Sequence, residues 1–331
     1  MKKKSRWRDL KALWVEPDVR DDIVEFVSTV KVKTDYKMKT LLKMINLSTS
    51  KYYSWSSREG LPNNHNGLIP KENWLLNWEK EAIILYAKNH TGEGYRRLTY
   101  MMIDENVVAA SPSAVYRILR RAGLLNRWNN TKKSSKGRGF EQPSGPHRHW
   151  HVDIKYVNYK GTFLFLISVI DGYSRYIVHH ELRQNMQEFD VEITIQKALE
   201  KFPGNNPRII SDNGSQFISK DFAAYLKFAE LQHIKTSIAY PQSNGKIERF
   251  HRTIEEEHLR QTSMINLEDA RKQISEYIEF YNTKRLHSSL FYLTPDDYLK
   301  GTEKEKLQVR EIKLTEARSN RIKIRKEVCS T

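Results

Sequence analysis

The feature that most constrains the fold is a nearly continuous apolar run, Thr162 to Ile170, between two turns that contain glycine. Lys160-Gly161 precedes the run and Asp171-Gly172 follows it. A run of this length and composition is typical of a central strand that is buried on both faces. Alternating patterns on either side, Trp150 to Tyr159 and Arg175 to Leu182, predict its antiparallel neighbours, because short turns join antiparallel strands.

After these three strands the pattern changes to alternating helices and strands. Short strands are predicted at Arg208 to Ser211 and at Gln232 to Thr236. Strand and helix in this order predict an α/β domain over residues 149–300, a mixed five-stranded sheet with helices on both faces. The predicted helices are Glu188 to Phe202, Ser219 to Ala229, Ser243 to Leu259 and Leu267 to Asn282.

Residues 1–60 are predicted to be helical and to end in a linker at residues 59–70, which is rich in Gly, Pro and Asn. The pattern of a helix, a polar turn with hydroxyl caps and a second helix is that of a helix-turn-helix. Ser50 and Lys51 would then meet phosphates or base edges at the start of the second helix. An ordinary helical hairpin with aromatic core residues is the alternative. The predicted helices are Asp21 to Val32, Lys37 to Ile45 and Lys51 to Ser56.

Residues 70–125 predict a second helical module. Its last helix, Pro112 to Ala122, has Ser111 as its cap, proline at its first position and Gly123 at its end. The two helices before it are Glu72 to Asn89 and Tyr95 to Ile103. We interpret the module as a second DNA-binding unit, with ordinary surface arginines as the alternative. Its candidate DNA contacts are Arg96, Arg97, Arg117, Arg120 and Arg121.

The formal net charge of +16 over 331 residues favours a polyanionic partner, since Lys and Arg release the counterions of phosphates. A generally basic, solvated surface is the alternative. Residues 126–148 form a basic linker in which Lys132 and Lys133 could follow a phosphate backbone, and residues 301–331 form a charged tail, frayed or helical. The sequence contains no membrane span and no secretory signal. Its single cysteine, Cys329, fits a reducing, cytoplasmic compartment.

The segment His147-Arg-His-Trp-His151 could bring three imidazoles to one face of a strand. No cysteine or acid is placed to complete a tetrahedral zinc site, so we do not favour structural zinc. Histidines at the mouth of a strand near DNA are the preferred interpretation.

Three acids are candidates for metal-dependent phosphodiester chemistry. Asp153 lies within the first predicted strand, Asp212 ends the fourth, and Glu248 lies one turn into a helix. Two-metal catalysis needs carboxylates from separate elements that meet at one end of a sheet. Each acid also has an ordinary structural explanation: a solvent-facing strand residue, a turn residue and a surface acid. Asp171 is a rival ligand, which we interpret as a turn acid that could pair with Arg175.

Several ordered motifs resemble the catalytic core of retroviral-type integrases and, most closely, the second-frame product of bacterial insertion-sequence transposases. The resemblance covers about residues 70–300. The acids Asp212 and Glu248 have the family's spacing. The motifs are Trp150-x-x-Asp153, Asp171-Gly-Tyr-Ser-Arg175, Ser211-Asp-Asn-Gly-x-x-Phe217, Tyr240-Pro-Gln-Ser-Asn-Gly-x-x-Glu248-Arg, Tyr281-Asn-x-x-Arg285-x-His287, Thr294-Pro295, Gly94-Tyr-Arg-Arg97 and Val115-Tyr-Arg-x-Leu119.

The resemblance implies an RNase H-like fold and DNA strand cleavage and transfer without a covalent intermediate. It also implies that Asp153, Asp212 and Glu248 bind two Mg²⁺ (or Mn²⁺) ions, and that at least a dimer assembles on double-stranded DNA, at the element ends and the target. The protein would therefore act at the nucleoid. The residues that it implies as DNA contacts are Gln242, Ser243, Asn244, Lys246, Arg249 and Arg252.

One position departs from the family pattern. Glu255 stands seven residues after Glu248, where the family often has a basic residue, and it would repel phosphate on the same helix face. The leading hypothesis is a transposase. An RNase H-type nuclease without strand transfer and a catalytically silent DNA-binding regulator derived from a transposase are the alternatives.

Overall fold

The computed structural model describes residue 15 and residues 17–61, 74–125, 142–235 and 244–329. These residues fall into two compact units. The larger unit is Leu75–Ala317, and the smaller combines segments from the two ends of the chain, up to Trp74 and from Arg318 onward. The predicted second helical module and the predicted catalytic core therefore belong to one compact unit.

The described N-terminal residues of the smaller unit form the helices α1 (Pro17–Lys33), α2 (Met38–Met44) and α3 (Thr49–Ser56). The Oγ of Ser48 caps α3, since it accepts a hydrogen bond of 3.3 Å from the backbone N–H of Lys51. The aromatics Tyr52 and Trp55 of α3 are buried against α1 and α2. The sequence therefore located the capped second helix correctly, and the aromatics on its buried face belong to the core.

The helical part of the larger unit contains α4 (Asn77–Asn89), α5 (Tyr95–Asp104) and α6 (Pro112–Arg121), packed around apolar side chains such as Met102 and Val115. The predicted start of α4 at Glu72 was wrong for the described residues: residues 74–76 are not helical. The carboxylate of Glu79 accepts a hydrogen bond of 2.7 Å from the N–H of Leu76, which fixes the helix start there.

The sheet has the order β3-β2-β1-β4-β5, and both neighbours of β2 are antiparallel to it, whereas β4 is parallel to β1 and to β5. Lys160 and Gly161 form the β1–β2 turn with positive φ angles of 47° and 81°. The predicted mixed five-stranded sheet is confirmed. Its strands are β1 (His149–Tyr159), β2 (Thr162–Asp171), β3 (Ile177–Arg183), β4 (Arg208–Ser211) and β5 (His233–Lys235).

Helices cover both faces of the sheet. One face packs on α7 (Glu188–Lys201), α8 (Ser215–Ile218) and α9 (Lys220–Phe228), and the other packs on α10 (Gly245–Ile254) and α11 (Leu267–Thr283). A π-helical turn, Glu255–Leu259, continues α10. Two layers of helices around this sheet confirm the predicted RNase H-like fold.

The last helices are α12 (Pro295–Leu299) and α13 (Glu303–Cys329). The charged tail was predicted to be frayed or helical, and α13 shows that it is helical over Glu303–Cys329. Its first part belongs to the larger unit and its end, from Arg318, to the smaller unit. No helix among the described residues is long and apolar enough to cross a membrane.

Arg310 of α13 is buried and joins three segments of the larger unit. Its guanidinium makes a bidentate pair with Asp104 of α5, at 2.8 and 2.6 Å. It also donates to the carbonyl oxygens of Phe291 and Tyr292, at 3.2 and 2.7 Å. These two consecutive residues have φ angles of 50° and 59°, in the left-handed region that costs free energy for side chains with a Cβ. The side chain thus holds a strained turn and α5 together.

A half-buried histidine makes stability depend on pH. Burial lowers the pKa of His180, on β3, to about 4, and its Nε2 lies 3.1 Å from the Oγ of Ser275 on α11. Because the folded pKa is below the ordinary value of 6.5, the unfolded chain binds more protons under pH 6.5. The stabilisation is therefore complete above pH 6.5 and is lost as the pH falls toward 4.

We expect this group to lower the free energy of unfolding by about 1 kcal/mol between pH 7 and pH 5, after a discount for partial exposure. Urea unfolding at the two pH values measures the change. His180→Gln retains an amide donor toward Ser275 but does not titrate, so the variant should lose less stability than the wild type. An equal loss in both proteins would contradict the assignment.

Candidate active site

The first two acids lie at matching positions on adjacent parallel strands. The pairing of β1 with β4 ends with His151 opposite Ile210, and two residues farther along come Asp153 and Asp212. Side chains at corresponding positions of adjacent parallel strands lie side by side on the same face of the sheet. Asp153 is half-buried, whereas Asp212 is exposed just past the end of β4. The register therefore brings together two acids that are far apart in the chain.

The third acid is on the helix that covers this part of the sheet. Ile247, Phe250 and Ile254 bury one face of α10 against the sheet, and Glu248 is exposed beside that face. One turn after Glu248, the Nδ1 of His251 lies 3.4 Å from the Oδ2 of Asp153. Helix α10 is thus seated directly on the strand that carries the first acid.

The carboxylates have local partners in the structure. The Oδ1 of Asp153 accepts from the backbone N–H of Ile154, and the Oδ1 of Asp212 accepts from that of Gly214, both at 2.9 Å. In the part of the chain that the structure describes, no three His, Cys, Asp or Glu side chains are arranged to hold a metal ion. The fold places two acids on neighbouring strands and the third above them, but it does not close them into one ligand cluster.

The chemistry of these donors suits a hard divalent cation. Three carboxylates offer only oxygen atoms, which Mg²⁺ and Mn²⁺ prefer, and the exposure of Asp212 and Glu248 leaves room for water or a phosphate. The oxygen donors of Asp153, Asp212 and Glu248 are thus of the kind that such an ion prefers, and their role as its ligands stays a prediction.

Asp171 is a structural acid and not a free ligand. It is fully buried, and its carboxylate accepts from the N–H of His147 at 2.8 Å and from the N–H and Oγ of Ser174, both at 2.7 Å. The interpretation of Asp171 as a turn acid is consistent with these bonds. Its predicted pairing with Arg175 was wrong: this guanidinium donates instead to the carbonyl oxygen of Gly172, at 2.9 Å. Within this tight turn, nearby N–H and hydroxyl groups satisfy the carboxylate of Asp171, and Arg175 bonds to a backbone carbonyl instead.

The histidine segment lies in the interior. His149 and His151 are buried, and burial lowers the pKa of His151 to about 3. Burial also lowers the pKa of His147, whose Nδ1 accepts from the indole N–H of Trp150 at 3.2 Å. The expectation of histidines at the mouth of a strand near DNA was therefore wrong for His149 and His151. The strand begins two residues before His151, so alternation directs that ring under α10.

Glu255 forms two ion pairs inside the protein. Its carboxylate lies 3.0 Å from the Nζ of Lys155 on β1 and 3.3 Å from the Nε of Arg260. Burial raises the pKa of Glu255, but the two cations outweigh it and the net shift is downward. These two cations offset the repulsion of phosphate that is predicted for Glu255. Lys155 and Arg260 lie outside α10, so the sequence of that helix alone does not reveal them.

The candidate DNA contacts differ in how far their side chains are exposed to solvent. Ser50 and six arginines are exposed: Arg96, Arg117, Arg120, Arg121, Arg249 and Arg252. Lys51 is half-buried beside the ring of Trp55, and the exposed guanidinium of Arg96 lies over the ring of Tyr95. Asn244 is buried. Lys132, Lys133, Gln242 and Ser243 lie outside the described residues.

The charges of Arg97 and Lys246, two candidate contacts, are directed at groups within the protein. The guanidinium of Arg97 lies 2.5 Å from Glu93 and 3.7 Å from Glu257, in the π-helical turn. The ammonium of Lys246 donates to the carbonyl oxygen of Gly172 at 2.7 Å. Burial, with Arg175 nearby, lowers the pKa of Lys246 to about 7.

Sequence reasoning missed three side chains near the site. His251 contacts Asp153, and Glu257 accepts a bidentate pair from Arg285 and a hydrogen bond of 3.0 Å from the hydroxyl of Tyr277. His251 had a usable signal, because it lies three residues after Glu248 on a predicted helix. Lys155 had a similar signal, since it shares a strand face with Asp153. Glu257, within a run of three acids, had none.

The larger part of this unit is similar to a known protein family. Two models of the integrase core domain match, one over residues 143–241 and one over residues 230–295. The matched residues, 143–295, carry all three candidate acids.

The chain is similar to insertion-sequence transposases over most of its length. It is 26% identical over 235 residues to the transposase of IS904 from Lactococcus lactis subsp. lactis (strain IL1403), covering 66% of this chain and 92% of that protein. It is 23% identical over 279 residues to the putative transposase InsK of IS150 from Escherichia coli (strain K12), covering 81% and 95%. The transposase InsF of IS3A from the same strain is 24% identical over 293 residues, covering 83% and 98%.

Solved structures that align with the chain are viral integrases. The simian T-cell lymphotropic virus intasome, in complex with a PP2A regulatory subunit, aligns with a TM-score of 0.44 at 18% identity, over 66% of this chain and 74% of that chain. The HTLV-2 integrase catalytic core with magnesium, in its dimeric form, aligns with a TM-score of 0.38 at 17% identity, over 47% and 98%.

Proposed function

We propose that this protein is the transposase of an insertion sequence, which cleaves DNA at the ends of its element and joins those ends to a target. The observation that carries the proposal is the parallel register of β1 and β4, which places Asp153 beside Asp212 under the helix of Glu248. The integrase core domain and the similarity to transposases over most of the chain support the same activity.

We propose Asp153, Asp212 and Glu248 as the catalytic ligands of two divalent cations, Mg²⁺ or Mn²⁺. When bound, such ions activate an attacking water or 3′-hydroxyl and stabilise the leaving oxygen of the phosphodiester. The residues of the chain hold the acids in place: the sheet fixes Asp153 and Asp212, and the apolar face of α10 fixes Glu248. Exposure at Asp212 and Glu248 leaves the DNA backbone a path to the site.

We assign DNA binding to the segments that precede the catalytic core in the sequence. These are the helical segments, residues 1–60 and 70–125, and the linker, residues 126–148; the catalytic core is residues 149–300. The exposed arginines of α6 and α10 supply charge that is free to meet phosphates, and the tail at residues 301–331 adds further basic residues. Two element ends must be joined to one target, so we propose that at least two copies assemble on double-stranded DNA, at the nucleoid in the cytoplasm. Among the described residues, the exposed guanidinium groups of Arg120, Arg121, Arg249 and Arg252 form no ion pair, whereas the Nε of Arg117 donates to the carbonyl oxygen of Ser113 at 3.3 Å.

One assay separates the transposase from its two alternatives. Purified protein is incubated with Mg²⁺, labelled duplexes of the element ends and a target plasmid, and a parallel sample contains a chelator. A transposase yields end-specific nicks and joined products that the chelator abolishes. Cleavage without dependence on the end sequence indicates an RNase H-type nuclease. Metal-independent binding with no cleavage indicates a silent regulator and would refute the proposal.

A further inference from the structure

The first turn of α10 is attached to the interior by a lysine. Lys246 precedes Glu248 by two residues, and its Nζ donates a 2.7 Å hydrogen bond to the carbonyl oxygen of Gly172, in the turn between β2 and β3. The side chain is half-buried, whereas Arg249 and Arg252 of the same helix are exposed. The ammonium is thus directed at the protein backbone and away from the surface that those arginines form.

The turn that receives this lysine is fixed by contacts on every side. The N–H of Gly172 donates to the carbonyl oxygen of His149 on β1 at 2.8 Å, and Arg175 donates to the carbonyl of Gly172 itself. The preceding carboxylate, Asp171, is saturated by backbone and hydroxyl donors. A Cβ on Gly172 would lie 3.0 Å from the Nε2 of His151 and 3.1 Å from the carbonyl oxygen of His149. The turn is therefore packed tightly against β1.

We propose that Lys246 is a positioning residue that ties the start of α10 to β1 through the Gly172 carbonyl and so sets Glu248 over Asp153. It is not a phosphate contact in this protein. Two hydrogen bonds make this connection: Lys246 donates to the carbonyl of Gly172, and the N–H of Gly172 donates to the carbonyl of His149 on β1. Asp153 lies four residues after His149 on the same strand. The catalytic consequence rests on the proposed function, whereas the attachment of the helix does not.

The test compares Lys246→Met with Arg249→Met, a matched removal of one positive charge from the exposed side of the same helix. Binding to an element-end duplex is measured over a range of salt concentrations. A lost phosphate contact lowers the slope of log affinity against log salt by about one. We expect that loss for Arg249→Met and an unchanged slope for Lys246→Met. We also expect the cleavage rate of Lys246→Met at saturating DNA to fall at least about tenfold, because small displacements of reacting groups are costly.

A second measurement needs neither DNA nor metal. Hydrogen exchange of peptides covering residues 244–250 should be faster in Lys246→Met than in the wild type and Arg249→Met, while peptides from α7 are unchanged. Gly172→Ala, which displaces the same carbonyl, should accelerate the same peptides, and the double variant should add little, since both changes break one link. If Lys246→Met does not fold, Lys246→Gln is measured in the same way.

A salt slope for Lys246→Met reduced by about one, or exchange in residues 244–250 equal to that of the wild type, would overturn the proposal. Failure of the proposed function looks different: the wild type itself then cleaves no DNA in the presence of Mg²⁺, and the exchange comparison still decides whether Lys246 fixes the helix.

Discussion

Asp212→Asn should abolish DNA cleavage and strand transfer and leave DNA binding intact. The change removes a negative ligand for a divalent cation, and loss of a metal ligand costs several kcal/mol of transition-state stabilisation, or about 1,000-fold in rate or more. The turn should survive, because the Oδ1 of asparagine can still accept the 2.9 Å hydrogen bond from the N–H of Gly214. Quantified cleavage of labelled element ends under single-turnover conditions measures the effect.

The matched control for this variant is Asp221→Asn, which removes an exposed acid from the start of α9, a short distance along the chain. The two variants alter the net charge equally, so a difference between them reports on the position of the carboxylate. We expect Asp221→Asn to cleave at nearly the wild-type rate. Wild-type cleavage by Asp212→Asn would remove this residue from the site and with it the proposed ligand set.

Arg310→Met should cause a large loss of stability. It removes a bidentate ion pair with Asp104 and leaves the carbonyl oxygens of Phe291 and Tyr292 without this donor. Breaking a buried pair from one side costs about 3–5 kcal/mol. The side chain of Asp104 is 39% exposed and can regain water, so we expect about 3 kcal/mol.

Urea unfolding of the full chain measures this loss as a lower transition midpoint. Arg318→Met, an exposed residue later in the same helix, makes the same chemical change without these contacts and should shift the midpoint by much less. Equal midpoints for the two variants would show that Arg310 does not hold the strained turn and α5 together.

Local chemistry explains why most elements were predictable. The β1–β2 turn, the Ser111 cap of α6 and the continuous apolar strand β2 each follow from neighbouring residues, and the structure contains all three. The positions of Asp153 and Asp212 on adjacent strands required one further step, the inference that the fourth strand lies beside the first. The motif resemblance supplied that step, since spacing along a chain does not by itself specify strand order.

The directions of charged side chains were less predictable. Lys246 and Arg97 are basic residues in basic segments, yet both donate to groups within the protein. Arg310 and Asp104 are separated by 206 positions, and no local pattern on either helix marks the pair. Whether a cation meets solvent or an internal acceptor depends on which elements pack above it, and that is a property of the tertiary structure.

The parallel pairing of β1 with β4 also has a consequence for biosynthesis. The β1–β2 hairpin closes over a two-residue turn, whereas β4 reaches β1 only after the whole of β3 and α7 have been made. Closing the longer loop costs more chain entropy and comes later as the polypeptide leaves the ribosome. A nascent chain therefore carries its proposed DNA-binding helices well before the candidate acids Asp153 and Asp212 can meet. Under the proposed function, we expect a fragment terminated upstream of β4 to bind DNA without cleaving it.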